Sequence, residues 1–299
     1  MPQLIRPPSN IIGTKFMAKW IFDKLIFGVQ VAIRTSNFWR IPFFFLNPDK
    51  KQMIKFHGTI PTLMNFRQFI SLGGLMVRGY FFTKNIDNTK TEFWTVYLKN
   101  NHRLVGDDRM INFIGGSIEY WLKDFDFQKK RVLDIGGFLG DTAVLFSSEG
   151  ASHITIYEPV LEYVAWIQRN VETNNIDAEI HAKGIGDKDK SMEINYNSLD
   201  DSIGLFPDRG LNKMIIGLEN ISDVVKNSHA DIAKLNCEGG EKYLISVPEN
   251  ILRLIPEWII QTHSPQIRQS ILEKFTNAGF KIKNDYVLSY ETSIIAFYL

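Results

Sequence analysis

The chain has 299 residues, of which 44 % are hydrophobic and 22 % charged, a composition that fits a soluble globular protein of one large domain or a core with an appendage. A formal net charge of +1 argues against a protein that wraps nucleic acid by charge alone, and one cysteine excludes an internal disulfide framework. The prolines near the start break any signal-peptide pattern and no uncharged run approaches ~18 residues, so a cytoplasmic protein is expected.

Residues 1–12 read as an extended arm because of Pro2, Pro7 and Pro8. From Thr14 to Arg34 the pattern is helical, with Lys15, Lys19, Asp23, Gln30 and Arg34 on one stripe and a broad apolar face around it. That face either packs on protein or lies on a membrane surface. Phe38–Phe45 reads as an aromatic loop. Segments near 74–83 and 92–99 have strand character, with Asn85–Lys90 as a hairpin-like connection between them. Residues 109–123 read as a helix leading into the core. The expected organisation is an N-terminal α+β extension over 1–123, shaping substrate access or oligomerisation, and a second domain over 124–299.

The second domain opens on Arg131–Asp141, an apolar run ending in Asp134, then Gly136, Gly137 and Gly140, then a helix over Thr142–Glu149. This is a strand, a tight loop and a helix start, and the loop is expected to present free N–H groups to a crevice at the strand's carboxyl end. Phe138 and Asp141 stand where a dinucleotide fingerprint needs glycine, and no Gly-Lys-Ser/Thr follows, so nicotinamide and ATP readings lose ground. The next apolar run, His153–Tyr157, ends in Glu158, where an acid can accept hydrogen bonds from both hydroxyls of a ribose. An ordinary strand–helix–strand turn with an incidental acid is the alternative.

Val160, Val164, Ile167 and Val171 mark an amphipathic helix. A third strand, Ala178–Lys183, runs into Gly184-Ile185-Gly186-Asp187. This is either a plain turn or a place where Gly184 and Ile185 contact a base and Asp187 accepts from its exocyclic amine. Met192–Tyr196 and Lys213–Leu218 read as strands around a loop at 200–212 that is a lid or a surface loop. A fourth strand rises to Asn236 and turns through Gly239 and Gly240. Its end is expected beside the first loop, with Asn236 and Glu238 facing the crevice and Glu241 supporting them. Lys234 on that strand is expected to be buried and to need a carboxylate partner or a functional reason, whereas Cys237 reads as a buried thiol. A fifth strand, Glu257–Thr262, ends in His263, a titrating or a structural histidine. A helix over Gln266–Ala278 and a strand pair, Lys281–Leu288 and Ser293–Leu299, close the chain.

Val132–Asp141, Tyr157-Glu158-Pro159 and Ala233–Glu241, with Ile259–His263 through Gly279-Phe280, resemble the FkbM family of S-adenosylmethionine-dependent methyltransferases over roughly residues 125–285. The resemblance implies an α/β fold, a Rossmann-like, seven-stranded, mostly parallel, doubly wound sheet. It implies S-adenosylmethionine contacts at Asp134, Gly136, Gly137, Gly140, Glu158 and Pro159, and methylation of a hydroxyl on a glycan or related small molecule. No metal is expected. The family usually carries Asp where this chain has Asn236, so a base is sought at His263 first and Glu238 second. An RNA methyltransferase and a catalytically inactive binding or assembly protein are the competing readings.

Overall fold

In a computed structural model the described residues are 28–47, 50–111, 123–196, 203–204, 212–288 and 291–299. The expected arm at 1–12, most of the helix over 14–34, most of the helix over 109–123 and most of the loop at 200–212 lie outside them. The chain divides into two compact units, Met1–Ile118 and Glu119–Leu299.

In the first unit a 3-10 turn, Phe38–Arg40, runs into helix α1, Ile41–Leu46, where a loop is expected from sequence. Pro42 sits in α1's first turn, where its missing N–H costs nothing. Strands β1 (Gln52–Ile54) and β2 (Thr62–Met64) pair antiparallel. Helix α2, Phe66–Val77, then takes up residues 74–77, which read as strand. Its start explains the difference: Asn65 and Gln68 form a reciprocal capping box, and Phe69, Leu72 and Leu75 bury one face. Strands β3 (Phe81–Ile86), β4 (Glu92–Tyr97) and β5 (Arg103–Gly106) follow as an antiparallel sheet. Phe56, Phe69 and Trp94 fill the core, and Trp94 Nε1 donates to Asp108 Oδ1 at 2.7 Å.

The second unit is built on β6 (Arg131–Ile135), α3 (Asp141–Ser148), β7 (His153–Tyr157), α4 (Leu161–Asn174) and β8 (Ala178–His181). It continues through β9 (Gly184–Gly186), β10 (Lys190–Tyr196), β11 (Ile203–Gly204), β12 (Asn212–Asn220), α5 (Ile221–Ser228) and β13 (Ile232–Leu235). A 3-10 helix, Gly240–Ser246, then precedes α6 (Glu249–Leu252), β14 (Glu257–Thr262), α7 (Pro265–Asn277), β15 (Lys281–Val287) and β16 (Ser293–Tyr298). The main sheet has seven strands in the order β15-β16-β14-β13-β6-β7-β8. The five strands from β14 to β8 are parallel and β16 is antiparallel to both its neighbours. This is the α/β, Rossmann-like, doubly wound sheet that the sequence motifs imply.

Side chains alternate across the sheet, so each strand feeds two cores. Leu133, Ile135, Ala233, Leu235, Trp258 and Ile260 pack on one face. Val132, Ile232, Ile156 and Ile259 pack on the other, under Ala143 and Phe146 of α3 and Ile167 of α4. The strand order reverses between β6 and β13, which opens a crevice at their carboxyl ends. Gly184–Gly186, a turn in the sequence reading, is instead a short strand that pairs parallel to Leu218–Asn220 in a separate four-stranded sheet.

Candidate active site

Asp134 and Lys234 are register partners on β6 and β13, so their side chains leave the sheet on the same, otherwise apolar, face. Lys234 Nζ donates to Asp134 Oδ1 at 2.8 Å and to the Gly136 carbonyl at 2.6 Å; Thr142 Oγ1 donates to Asp134 Oδ2 at 2.6 Å. The carboxylate partner that Lys234 requires is therefore Asp134. With 0 % of Asp134 exposed, its carboxylate has no surface to offer a ligand and acts by fixing the loop above it.

That loop is tight enough to need glycine at its first position. Gly136 has φ +81°, and a Cβ there would lie 1.8 Å from the carbonyl oxygen of Asn236. The loop after β6 and the turn after β13 are thus in direct backbone contact. The expectation of free N–H groups is not met at Gly136, Gly137, Phe138 and Gly140, whose N–H groups already have acceptors in the second unit. Gly136 and Gly137 both donate to the Tyr157 carbonyl, at 2.9 and 3.1 Å, Gly140 donates to the Gly137 carbonyl at 2.8 Å, and Phe138 donates to Glu158 Oε2 at 2.9 Å.

Glu158, at the end of β7, is buried and also accepts from Val160 N–H at 3.0 Å. Burial pushes its carboxyl up to about 7, against the two N–H donors, which favour the charged form. Asp141, in the first turn of α3, is raised to about 6 by burial and by Asp134, with Lys234 opposing. Beside Glu158, Pro159 faces the Gly184 backbone, where an added Cβ would stand 3.7 Å away. Ile185 is buried in the core, and Asp187 is exposed in an ion pair with Lys190 at 2.8 Å. The hydrogen bond from Lys190 holds the Asp187 carboxyl below its usual range.

Across the crevice, the Asn236 N–H donates to the Ile135 carbonyl at 2.9 Å, while its side-chain Oδ1 is buried with no hydrogen-bond partner. Glu238 follows with φ +46°, and Gly239 donates its N–H to Glu241 Oε2 at 2.7 Å. His263 lies between the two acids: Nδ1 is 3.1 Å from Glu241 Oε1 and Nε2 is 3.0 Å from Glu238 Oε1. Its own N–H also donates to Glu241 Oε1 at 2.8 Å. Burial opposes a charged imidazole, yet the charges and hydrogen bonds of Glu238 and Glu241 carry its pKa up to about 10. His263 is therefore an imidazolium at neutral pH that donates from both nitrogens, which removes it as the proton acceptor that the sequence placed first. Glu241 resists burial and stays below the usual carboxylate range because His263 holds it there.

Cys237 lies beside this cluster, and burial, with Glu241 next, pushes its thiol well up, so it is no nucleophile. Gln261 went unnoticed in the sequence. Its Nε2 lies 3.0 Å from His263 Nε2, and an amide flip would present oxygen to that N–H instead. Its place two residues before His263 on β14, hence on the same face, was the available signal. Thr142 was missed for want of one, since its partner Asp134 lies across a loop. Among the described residues no group of three or more His, Cys, Asp or Glu side chains could hold a metal ion.

No family model matches the chain, nor does any curated protein. Solved structures do. The ribosomal protein L11 methylase of Lactobacillus delbrueckii subsp. bulgaricus aligns over 62 % of this chain and 78 % of its own, with 12 % identity and a TM-score of 0.38. Precorrin-6y C5,15-methyltransferase of Geobacter metallireducens GS-15 aligns over 61 % and 88 %, with 11 % identity and a TM-score of 0.38. Fibrillarin of Aeropyrum pernix, with natively bound S-adenosyl-L-methionine, aligns over 69 % and 93 %, with 9 % identity and a TM-score of 0.38. Likeness at this level carries no argument about activity, which rests on the residues of the site.

Proposed function

We propose that the chain is an S-adenosylmethionine-dependent methyltransferase, and in its narrower form an O-methyltransferase acting on a hydroxyl of a glycan or related small molecule. The observation that carries the first part is the use of the loop's N–H groups. A phosphate-bearing nucleotide needs unspent N–H donors at a loop of this kind, and here those of Gly136, Gly137, Phe138 and Gly140 are already spent. The acid at the end of β7 would also repel a phosphate. A nucleoside without phosphate suits both features, because Glu158 retains lone pairs for ribose hydroxyls.

Bound at this loop, the cofactor would supply a methyl group already activated as a sulfonium. The chain's part is to orient donor and acceptor, exclude water and take the proton of the acceptor hydroxyl. With His263 protonated, Glu238 is the base: 37 % of its side chain is exposed, enough to meet an acceptor. His263 positions Glu238 and Glu241 anchors His263. The family resemblance is the support for a hydroxyl acceptor. The rival reading, a binding protein that kept the fold and lost catalysis, is favoured by Asn236 standing where the family carries an acid.

Calorimetry with the demethylated cofactor product is the test. The wild type is expected to bind, and Glu158→Ala to bind at least about tenfold more weakly, equivalent to one lost charge-assisted hydrogen bond. A wild type that does not bind would overturn the enzyme reading. Binding without turnover across a glycan panel would favour the inactive one.

A further inference from the structure

We propose that the aromatic and basic segment of the first unit, residues 28–57, docks on an anionic lipid surface, lying in the interface without crossing it. This does not rest on methyl transfer. Six large apolar side chains stand out of that segment: Val29 is 60 % exposed, Ile33 64 %, Phe38 60 %, Trp39 60 %, Phe43 51 % and Met53 41 %. Val29 and Ile33 are one helical turn apart, with Ile33 N–H donating to the Val29 carbonyl, and the Phe38 and Trp39 rings meet edge to face at 5.9 Å. The same unit buries Phe56, Phe69 and Trp94 almost completely, so these aromatics are not surplus to an unfilled core.

They are also held firmly. The Asn37 side chain donates to the Met53 carbonyl at 2.8 Å and accepts from Lys55 N–H at 2.9 Å, and Ser36 N–H donates to the Lys55 carbonyl at 2.7 Å. An aromatic pair next to such a brace presents area at little entropic cost.

The charge identifies the partner. Between Gly28 and His57 the sequence has five lysines and arginines against one aspartate, in a chain whose net charge is only +1. Basic residues beside exposed Trp and Phe complement an anionic bilayer, with the rings at headgroup depth and the cations on the phosphates. RNA would use the cations and the rings but gains nothing from Val29 and Ile33, whereas a bilayer takes both. No described helix is long and apolar enough to cross a membrane.

Flotation of the full chain with phosphatidylcholine vesicles, with and without phosphatidylglycerol, tests this. The chain is expected to float with the anionic vesicles only and to be released by salt. Phe38→Ser/Trp39→Ser and Lys50→Glu/Lys55→Glu should each cut the bound fraction about tenfold or more, with circular dichroism unchanged because these side chains lie outside the core. The proposal is overturned by failure to float with either vesicle, by flotation indifferent to anionic lipid or unaffected by both double variants, by binding to an RNA homopolymer instead of vesicles, or by a dimer in sedimentation that the aromatic variant dissociates.

Discussion

Glu238 holds a left-handed backbone conformation that an ordinary side chain adopts only under constraint, and the constraint delivers its carboxylate to His263. Glu238→Gln should lower kcat by about 10²–10⁴ and leave the affinity for the demethylated cofactor unchanged, which steady-state rates and calorimetry would show separately. The His263 pKa lies above its unfolded value, so its contribution to stability is complete below about 6.5 and is lost as pH rises through about 10. Denaturant midpoints should therefore fall between neutral pH and pH 10 in the wild type, and His263→Gln should flatten that slope. At this scale the sequence shows that Lys234 needs an acid and that Glu241 supports the turn. It does not show the charge on His263, because the ring is clamped by two carboxylates from another segment and their convergence is a tertiary fact. Nor does it show that Gly136 and Gly137 have no N–H to spare, since the Tyr157 carbonyl that takes both belongs to the neighbouring strand.

Strand β13 carries a lysine through the middle of a sheet, and its register against β6 makes that tolerable. Lys234→Met should destabilise the chain by about 3–5 kcal/mol, because it strands the Asp134 charge in an apolar layer. A double-mutant cycle with Asp134→Asn, followed by urea unfolding, should recover part of that loss. The parallel strands were legible because a strand buried on both faces carries an apolar run, as in Trp258–Ile260 of β14. Where capping or pairing decides, the letters mislead. Residues 74–77 look β-forming until the Asn65–Gln68 box commits them to a helix, and Gly184–Gly186 looks like a turn until Leu218–Asn220 pairs with it. Phe38–Leu46 looks like a loop because its aromatics face no obvious core, and three of them, Phe38, Trp39 and Phe43, are indeed exposed.

The two compact units differ in what they are made for: one carries the exposed aromatic segment, the other the crevice and every residue of the candidate site. The demethylated cofactor, at about a hundred times its dissociation constant, should therefore stabilise the second unit by about 2.7 kcal/mol. Scanning calorimetry should show the transition of the second unit moving to higher temperature when the ligand is added. Within the second unit, Asp141 and Glu158 both sit in the fields of Asp134 and of Lys234. Acid outnumbers base around the loop, and two of the three carboxyls keep their protons toward neutrality. On the proposed reading, such a pocket distinguishes a fresh cationic donor from its spent, neutral form. The cation favours ionised Glu158 and Asp141, and once that charge has gone the same carboxyls draw protons back. Affinity for the cationic donor would then rise with pH through about 7, while affinity for the neutral spent form would stay level.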